Sequence, residues 1–280
     1  MTALAARLRA ATWLGWQVES NWVDPFLFVV YSGVQPLAGA MILAGMYWAV
    51  RGHAVGAPAF AALYVGNAFH VYVQQVLVGM GWVIVEEREE FETLKYVVAS
   101  PVGLLVYLSG RASVRLVLAT VSMLLTLAVG WWLVGVRWEW AAVQWLPLFV
   151  TWAIGLVAVV NLGFLVAGFA LLLPRVAINL NESLVVALYL LCGVIFPIDL
   201  LPRVLQGLAL LLPFTWWYEA LRRFLLGHGA STRLAAVSDL QLLAALALTT
   251  LAFTLVARRG FRALELRARR LGRIDQTTNF

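Results

Sequence analysis

The residues best suited to chemistry in this chain form one run, Glu86-Glu87-Arg88-Glu89-Glu90-Phe91-Glu92-Thr93-Leu94-Lys95, followed by Tyr96. Carboxylates packed this closely repel one another, so each gains most from an Arg or Lys brought to it from elsewhere. The chemistry on offer is recognition. Glu86, Glu87, Glu89, Glu90 and Glu92 can pair with a basic partner surface, with Arg88 among them, while Phe91, Leu94 and Tyr96 can fill an apolar notch. A solvated charged loop is the plainer reading of the same residues.

A second set of polar residues lies within long apolar runs: His70, Asn161 and Glu182, with Asn179 and Asn181 beside the last. Ionisable groups in such surroundings are costly and often mark proton or ion pathways, so His70 and Glu182 are the candidates for ion coupling. Against that, Glu182 lies near the end of its run, within snorkelling reach of water, and a lone histidine is commonly a hydrogen-bonded packing residue. Glu219 precedes Arg222 and Arg223 by three and four residues, the spacing of a local helix pair. With Phe196, Phe214, Trp216 and Trp217 nearby, Glu219 also suits an external gate or substrate path whose aromatic rings stack on cargo.

Several chemistries are excluded. A phosphate-binding loop needs a Lys after glycine and then Ser or Thr, but the one lysine, Lys95, stands between Leu94 and Tyr96. GxSxG and HExxH patterns are absent, and the single cysteine, Cys192, permits neither an intramolecular disulfide nor a CxxC site. No enzyme is expected, and no cofactor in this chain.

These residues are carried by a very apolar chain: 280 residues, 63% hydrophobic and 12% charged, with a mean hydropathy of +0.88. That excludes a soluble domain with a polar surface. A bilayer core about 30 Å thick needs about 20 apolar residues per helix. Runs near 26–50, 57–85, 111–135, 141–173, 176–196 and 237–257 predict six transmembrane helices. Long unbroken runs do not fit a β-barrel, so the fold class is an all-α membrane protein. Residues 1–25, with Arg7, Arg9, Trp13, Trp16 and Trp22, read as an N-terminal interfacial helix without a cleavage site. Residues 26–257 form the six-span domain. Within it, 197–235, broken by Pro197, Pro202 and Pro213, holds two apolar pieces too short to span and reads as an external re-entrant helical hairpin. Residues 258–280 form a basic tail.

Of the 20 Lys and Arg, fourteen fall on the face holding both termini and the acidic run, and six (Arg51, Arg137, Arg203, Arg222, Arg223 and Arg233) on the other. The positive-inside bias puts the first face in the cytoplasm. Basic charge is thereby explained by topology and contact with membrane lipids, not nucleic acid.

Two stretches carry a resemblance. Glu87-Arg88-Glu89-Glu90-Phe91-Glu92-Thr93-Leu94, leading to Pro101, resembles the E-R-E-x-G-T-L pattern after the second span of type-2 ABC transporter permeases, with one extra residue and Glu92 where glycine is usual. Gly193-Val194-Ile195-Phe196-Pro197, Leu201-Pro202, Leu212-Pro213-Phe214-Thr215 and Glu219-Ala220-Leu221-Arg222 are similar to that family's loop between the last two spans. The resemblance implies a transmembrane subunit of a bacterial or archaeal plasma-membrane exporter of a lipid, drug or polysaccharide. It also implies a second permease copy or paralogue as partner, cytoplasmic ATPase subunits carrying ATP and Mg, and a coupling helix within 86–100. Ion-coupled transport through His70 and Glu182 stands as the alternative.

Overall fold

The computed structural model describes residues 3–21, 37–49 and 58–274, and every regular element among them is helical. In chain order these are α1 (Ala3–Asn21), α2 (Leu37–Ala49), α3 (Pro58–Val85), α4 (Leu94–Ala99), α5 (Leu104–Val129), α6 (Trp145–Leu172), α7 (Pro174–Leu191), α8 (Arg203–Leu211), α9 (Pro213–Leu226), α10 (Thr232–Ala235) and α11 (Asp239–Arg270). A π-helical turn, Glu86–Glu90, prolongs α3, and another, Gly130–Val134, prolongs α5. Helix ends follow local chemistry. Pro174 and Pro213 open α7 and α9 where no amide donor is needed. Ser238 and Gln241 form a reciprocal capping box at the start of α11.

Among the described residues four helices are long and apolar enough to cross a membrane: Pro58–Glu90, Leu104–Val134, Trp145–Leu172 and Asp239–Arg270. They correspond to the second, third, fourth and sixth expected spans. The fifth differs. Its apolar part, Asn179–Leu191, is 13 residues, about 20 Å at 1.5 Å per residue, because Asn179, Asn181 and Glu182 occupy its start and Gly193 turns left-handed just beyond its end. Of the expected first span, Leu37–Ala49 is helical, and residues 22–36 and 50, Trp22 among them, lie outside the described residues. The division at 257 is not a break, since α11 continues to Arg270 on the inward-facing Ala257, Phe261 and Ala268.

Buried on nearly every side, α3 is the axis of the bundle, packed by α5, α6, α7 and α9. Pairing of α6 with α11 completes the core, and α1 lies along α5. Apolar helices in a bilayer associate through close packing, which small residues permit. Gly155 on α6 leaves the space occupied by the Trp217 indole, and Gly66 on α3 the space occupied by the Arg222 guanidinium. Arg222, 2% exposed, donates from Nε to the Ala62 carbonyl at 2.7 Å and from Nη2 to the Val194 carbonyl at 3.0 Å. It ties the short-helix hairpin α8–α9 to α3.

This clasp makes a coupled prediction. Gly66→Val or Arg222→Ala alone should each destabilise the protein by about 2–3 kcal/mol, through a clash or through buried carbonyls left without a donor. The double variant should lose clearly less than the sum, since the valine enters the vacated space. Additive losses in thermal unfolding of the detergent-solubilised protein would refute the packing account.

Candidate functional site

The acidic run does not form one continuous helix. It continues α3 as the π turn to Glu90, reverses over Phe91-Glu92-Thr93, and restarts as the six-residue α4. Glu92 makes the turn with φ of 51°, a left-handed conformation that glycine adopts freely and other residues at a cost of about 1–2 kcal/mol. Glutamate therefore holds here the geometry that the glycine of the related pattern would supply.

Its charged side chains divide by direction. Glu87 is 4% exposed and accepts hydrogen bonds from the Thr93 and Tyr107 hydroxyls, while the Thr93 amide donates to the Glu87 carbonyl at 2.8 Å. Arg88, 3% exposed, donates to the Ala170 carbonyl at 3.3 Å and the Leu171 carbonyl at 2.9 Å, at the C-terminal end of α6. Arg273, beyond α11, donates to the next carbonyl, that of Leu172. Leu94 is buried in the core. By contrast Glu90, Phe91, Glu92, Lys95 and Tyr96 are exposed, and Glu89 is half-buried. The structure thus gathers the sequence-derived set at one end of the bundle but turns Glu87, Arg88 and Leu94 inward.

Glu86 belongs to a network that sequence reasoning missed. Arg111 on α5, 1% exposed, bonds Glu86 at 2.8 Å and lies 3.6 Å from Glu19 on α1, which pairs with Arg115 at 2.8 Å. One buried guanidinium thereby links the acidic run to α1. The available signal was two arginines four residues apart, opposite the acidic run, at the entrance to an otherwise apolar stretch.

At the other end, Asp199 and Glu219 organise the loop after α9. Glu219 accepts from the amides of Ala230 at 3.1 Å and Ser231 at 3.3 Å, and Asp199 from the Thr232 amide at 2.7 Å. Arg223 donates to the carbonyls of Val237 and Leu234, both at 2.6 Å. Glu219 and Arg222 are thus both spent on backbone groups. Phe214 and Trp217 are buried core residues, Phe214 packing edge-on to Phe253 and Trp217 lying among Phe69, Tyr72 and Tyr218. Trp216 and Phe196 are half-buried, and the Trp216 indole donates to the Leu210 carbonyl at 2.9 Å. At the ends of α5 and α6 remote from the acidic run, Trp131, Trp138, Trp140, Trp145 and Phe149 run ring to ring.

The intramembrane polar residues do not converge. The His70 ring makes a 2.8 Å bond from Nδ1 to the Tyr218 hydroxyl under the Tyr189 ring, Asn161 donates to Val157 and Thr254, and Glu182 is exposed on α7. Among the described residues no group of three or more His, Cys, Asp or Glu is placed to hold a metal ion.

A bundle of apolar helices with a structured polar loop at one end defines a multi-pass membrane protein. The family model described as ABC-2 type transporter matches residues 7–226, and the chain belongs to that family. No curated protein matches it. The matched domain is a permease domain and not itself an ATPase.

Opposite placement of neighbouring glutamates gives a sharp prediction. Glu87→Lys should lower apparent stability by at least about 3 kcal/mol, because it buries an unpaired cation facing Tyr107. Glu90→Lys should change it by less than about 0.5 kcal/mol. Glu92→Gly should be neutral or slightly stabilising and Glu92→Val costly, since a β-branched residue resists the left-handed turn. Equal melting temperatures for Glu87→Lys and Glu90→Lys would show that the inward direction of Glu87 is wrong.

Proposed function

We propose that the chain is the membrane-spanning permease subunit of an ATP-binding-cassette transporter, exporting a lipid, drug or polysaccharide-type substrate with ATP hydrolysed by separate cytoplasmic subunits. The observation that carries this reading is the exposed set Glu90, Phe91, Glu92, Lys95 and Tyr96, presented on a turn fixed from behind by the buried Glu87 and Arg88. Exposed acids flanking two aromatic rings suit a basic groove with an apolar notch on a partner, and a rigid support lets that partner push. Family membership supports an ATPase as the partner. ATP and Mg belong to that partner, and a second permease copy or paralogue completes the assembly.

In this mechanism, ATP-dependent closure of the ATPases displaces α4 and its preceding turn. A ligand drives a switch only by binding its two states unequally, so the free energy enters where contacts change, at this turn. Displacement passes directly to α3, which is continuous with Glu86–Glu90. It also passes to α1 and α5 through Arg111 and to α6 through Arg88. The positive-inside count supports a cytoplasmic position for this end, with both termini on the same side of a bacterial or archaeal plasma membrane.

Ion coupling through His70 and Glu182 draws no comparable support. His70 is engaged in a hydrogen bond and aromatic packing on α3, and Glu182 is exposed on α7.

The test is a permease carrying Glu90→Lys, Glu92→Lys and Tyr96→Ala together. It should insert and melt as wild type but co-purify with at least about tenfold less ATPase, a loss of about 1.4 kcal/mol or more, and lose ATP-dependent transport. Wild-type ATPase association in this variant would remove the docking assignment. Flux that stops when the ion gradient is dissipated, with ATP intact, would replace the whole reading with ion coupling.

A further inference from the structure

The C-terminal half of α11 carries arginines at 258, 259, 262, 267, 269 and 270, all exposed. A topology anchor needs positive charge at the headgroups and nothing more. Packing fixes the height of each arginine. Asn161 on α6 bonds Thr254, Gly168 lies against Leu264 and Phe261, and Arg273 reaches the Leu172 carbonyl, so α11 runs beside α6 to its last residue. Arg88 in the acidic run bonds the Ala170 and Leu171 carbonyls. Arg267, Arg269 and Arg270 therefore stand level with Glu86–Glu90, about 12–17 Å beyond Arg259 at 1.5 Å per residue. That is past the headgroup layer if Arg258 and Arg259 mark its start, as the end of the apolar run implies.

This part of the helix is rigid and one-sided. Phe261 and Ala268 face α6, and Leu264 packs against the same core. Among the described residues, Glu265 is the carboxylate on this stretch, and it pairs with Arg269 at 2.6 Å. Arginines on a packed helix have their backbone already fixed, so pairing with carboxylates costs side-chain freedom alone.

We infer that Arg267, Arg269 and Arg270 form a second docking ridge for the cytoplasmic ATPase subunit, recognising a carboxylate-rich surface on it. The inference rests on the function proposed above and extends it. The partner meets an acidic and aromatic turn on one side of the α6 end and a basic ridge on the other. Two contacts of opposite sign fix the orientation of the partner as well as its position, because rotating it brings like charges together. Arg258, Arg259 and Arg262, closer to the apolar run, have the plainer role of meeting lipid headgroups.

The experiment co-expresses full-length permease with its ATPase and measures ATPase retained per permease over a salt series. It compares wild type, Arg267→Glu/Arg269→Glu/Arg270→Glu, the corresponding triple Lys variant, and Arg258→Gln/Arg259→Gln. Expected is a loss of about tenfold or more in the Glu variant, substantial rescue in the Lys variant, wild-type retention in the Gln pair, and a flatter salt dependence in the Glu variant. Size-exclusion profiles establish that the Glu variant remains folded. If it is not folded, the matching Gln triple must show the loss in its place. Wild-type retention in a folded triple variant overturns the ridge and leaves the turn at Glu90–Tyr96 as the docking site. The same retention with fewer co-purifying anionic phospholipids assigns the ridge to membrane lipid and also overturns it. Absence of any ATPase from the wild-type preparation defeats the proposed function itself.

Discussion

A helix that ends inside a protein leaves up to four carbonyls without intrahelical donors, and in low-dielectric surroundings each such group is expensive. At the C-terminal end of α6 this constraint is met by arginines from two distant parts of the chain. Arg88 covers Ala170 and Leu171, and Arg273 covers Leu172. The guanidinium is well matched to the task, since it stays charged and offers several donors to the negative end of a helix dipole. Because the acceptors lie on α6, the acidic turn and the last residues of α11 are both tied to the same point. Sequence separations of 82 and 101 residues are closed there.

The same logic operates at the other end of α3. A buried arginine there, Arg222, donates to the backbone of α3 and of the segment after α7, and Gly66 leaves it room. Between these polar fastenings α3 is close-packed, with Tyr72, Val73, Val76, Leu77 and Met80 at no measurable exposure. A helix bonded at both ends and close-packed between them moves as a body, since packed interiors have little room to deform. In the proposed mechanism that makes α3 the member through which displacement at the turn reaches the α8–α9 hairpin. The Arg111 bonds bring α1 into the same body, so this N-terminal helix is fastened to the bundle by charge as well as by packing.

Much of this arrangement was legible in the sequence, and the parts that were not share a cause. Long apolar runs disclose themselves by composition, so α3, α5, α6 and α11 were expected. Which glutamate of the run faces inward was not readable, because five acids in a short stretch show no periodicity. The inward position is chosen by Tyr107 on α5, and that of Arg88 by the end of α6. Phe214 and Trp217 lie in the proline-rich stretch that suggested a path, yet α9 turns both into the core, where Gly155 accepts the indole. Arg111 was counted only as a topological charge, since its partners Glu19 and Glu86 lie in different segments of the chain.

Glu92 shows how local cost and site chemistry fit together. Its left-handed backbone is unfavourable for any residue with a Cβ, yet the turn around it is over-determined. The Thr93 amide and hydroxyl both bond Glu87, the Phe91 amide bonds the Glu86 carbonyl, and α4 begins at once with the buried Leu94. Residues on either side are therefore fixed by bonds that do not involve the Glu92 side chain, and the backbone between them has little choice. Glycine would relieve the strain and leave that corner without a charge. Glutamate keeps the turn and sets a carboxylate at its exposed apex, next to Phe91 and within the same short segment as Tyr96. The departure from the related pattern thus keeps a left-handed backbone that glycine also adopts and alters what the apex presents. In the proposed assembly it calls for one more basic group in the partner's groove.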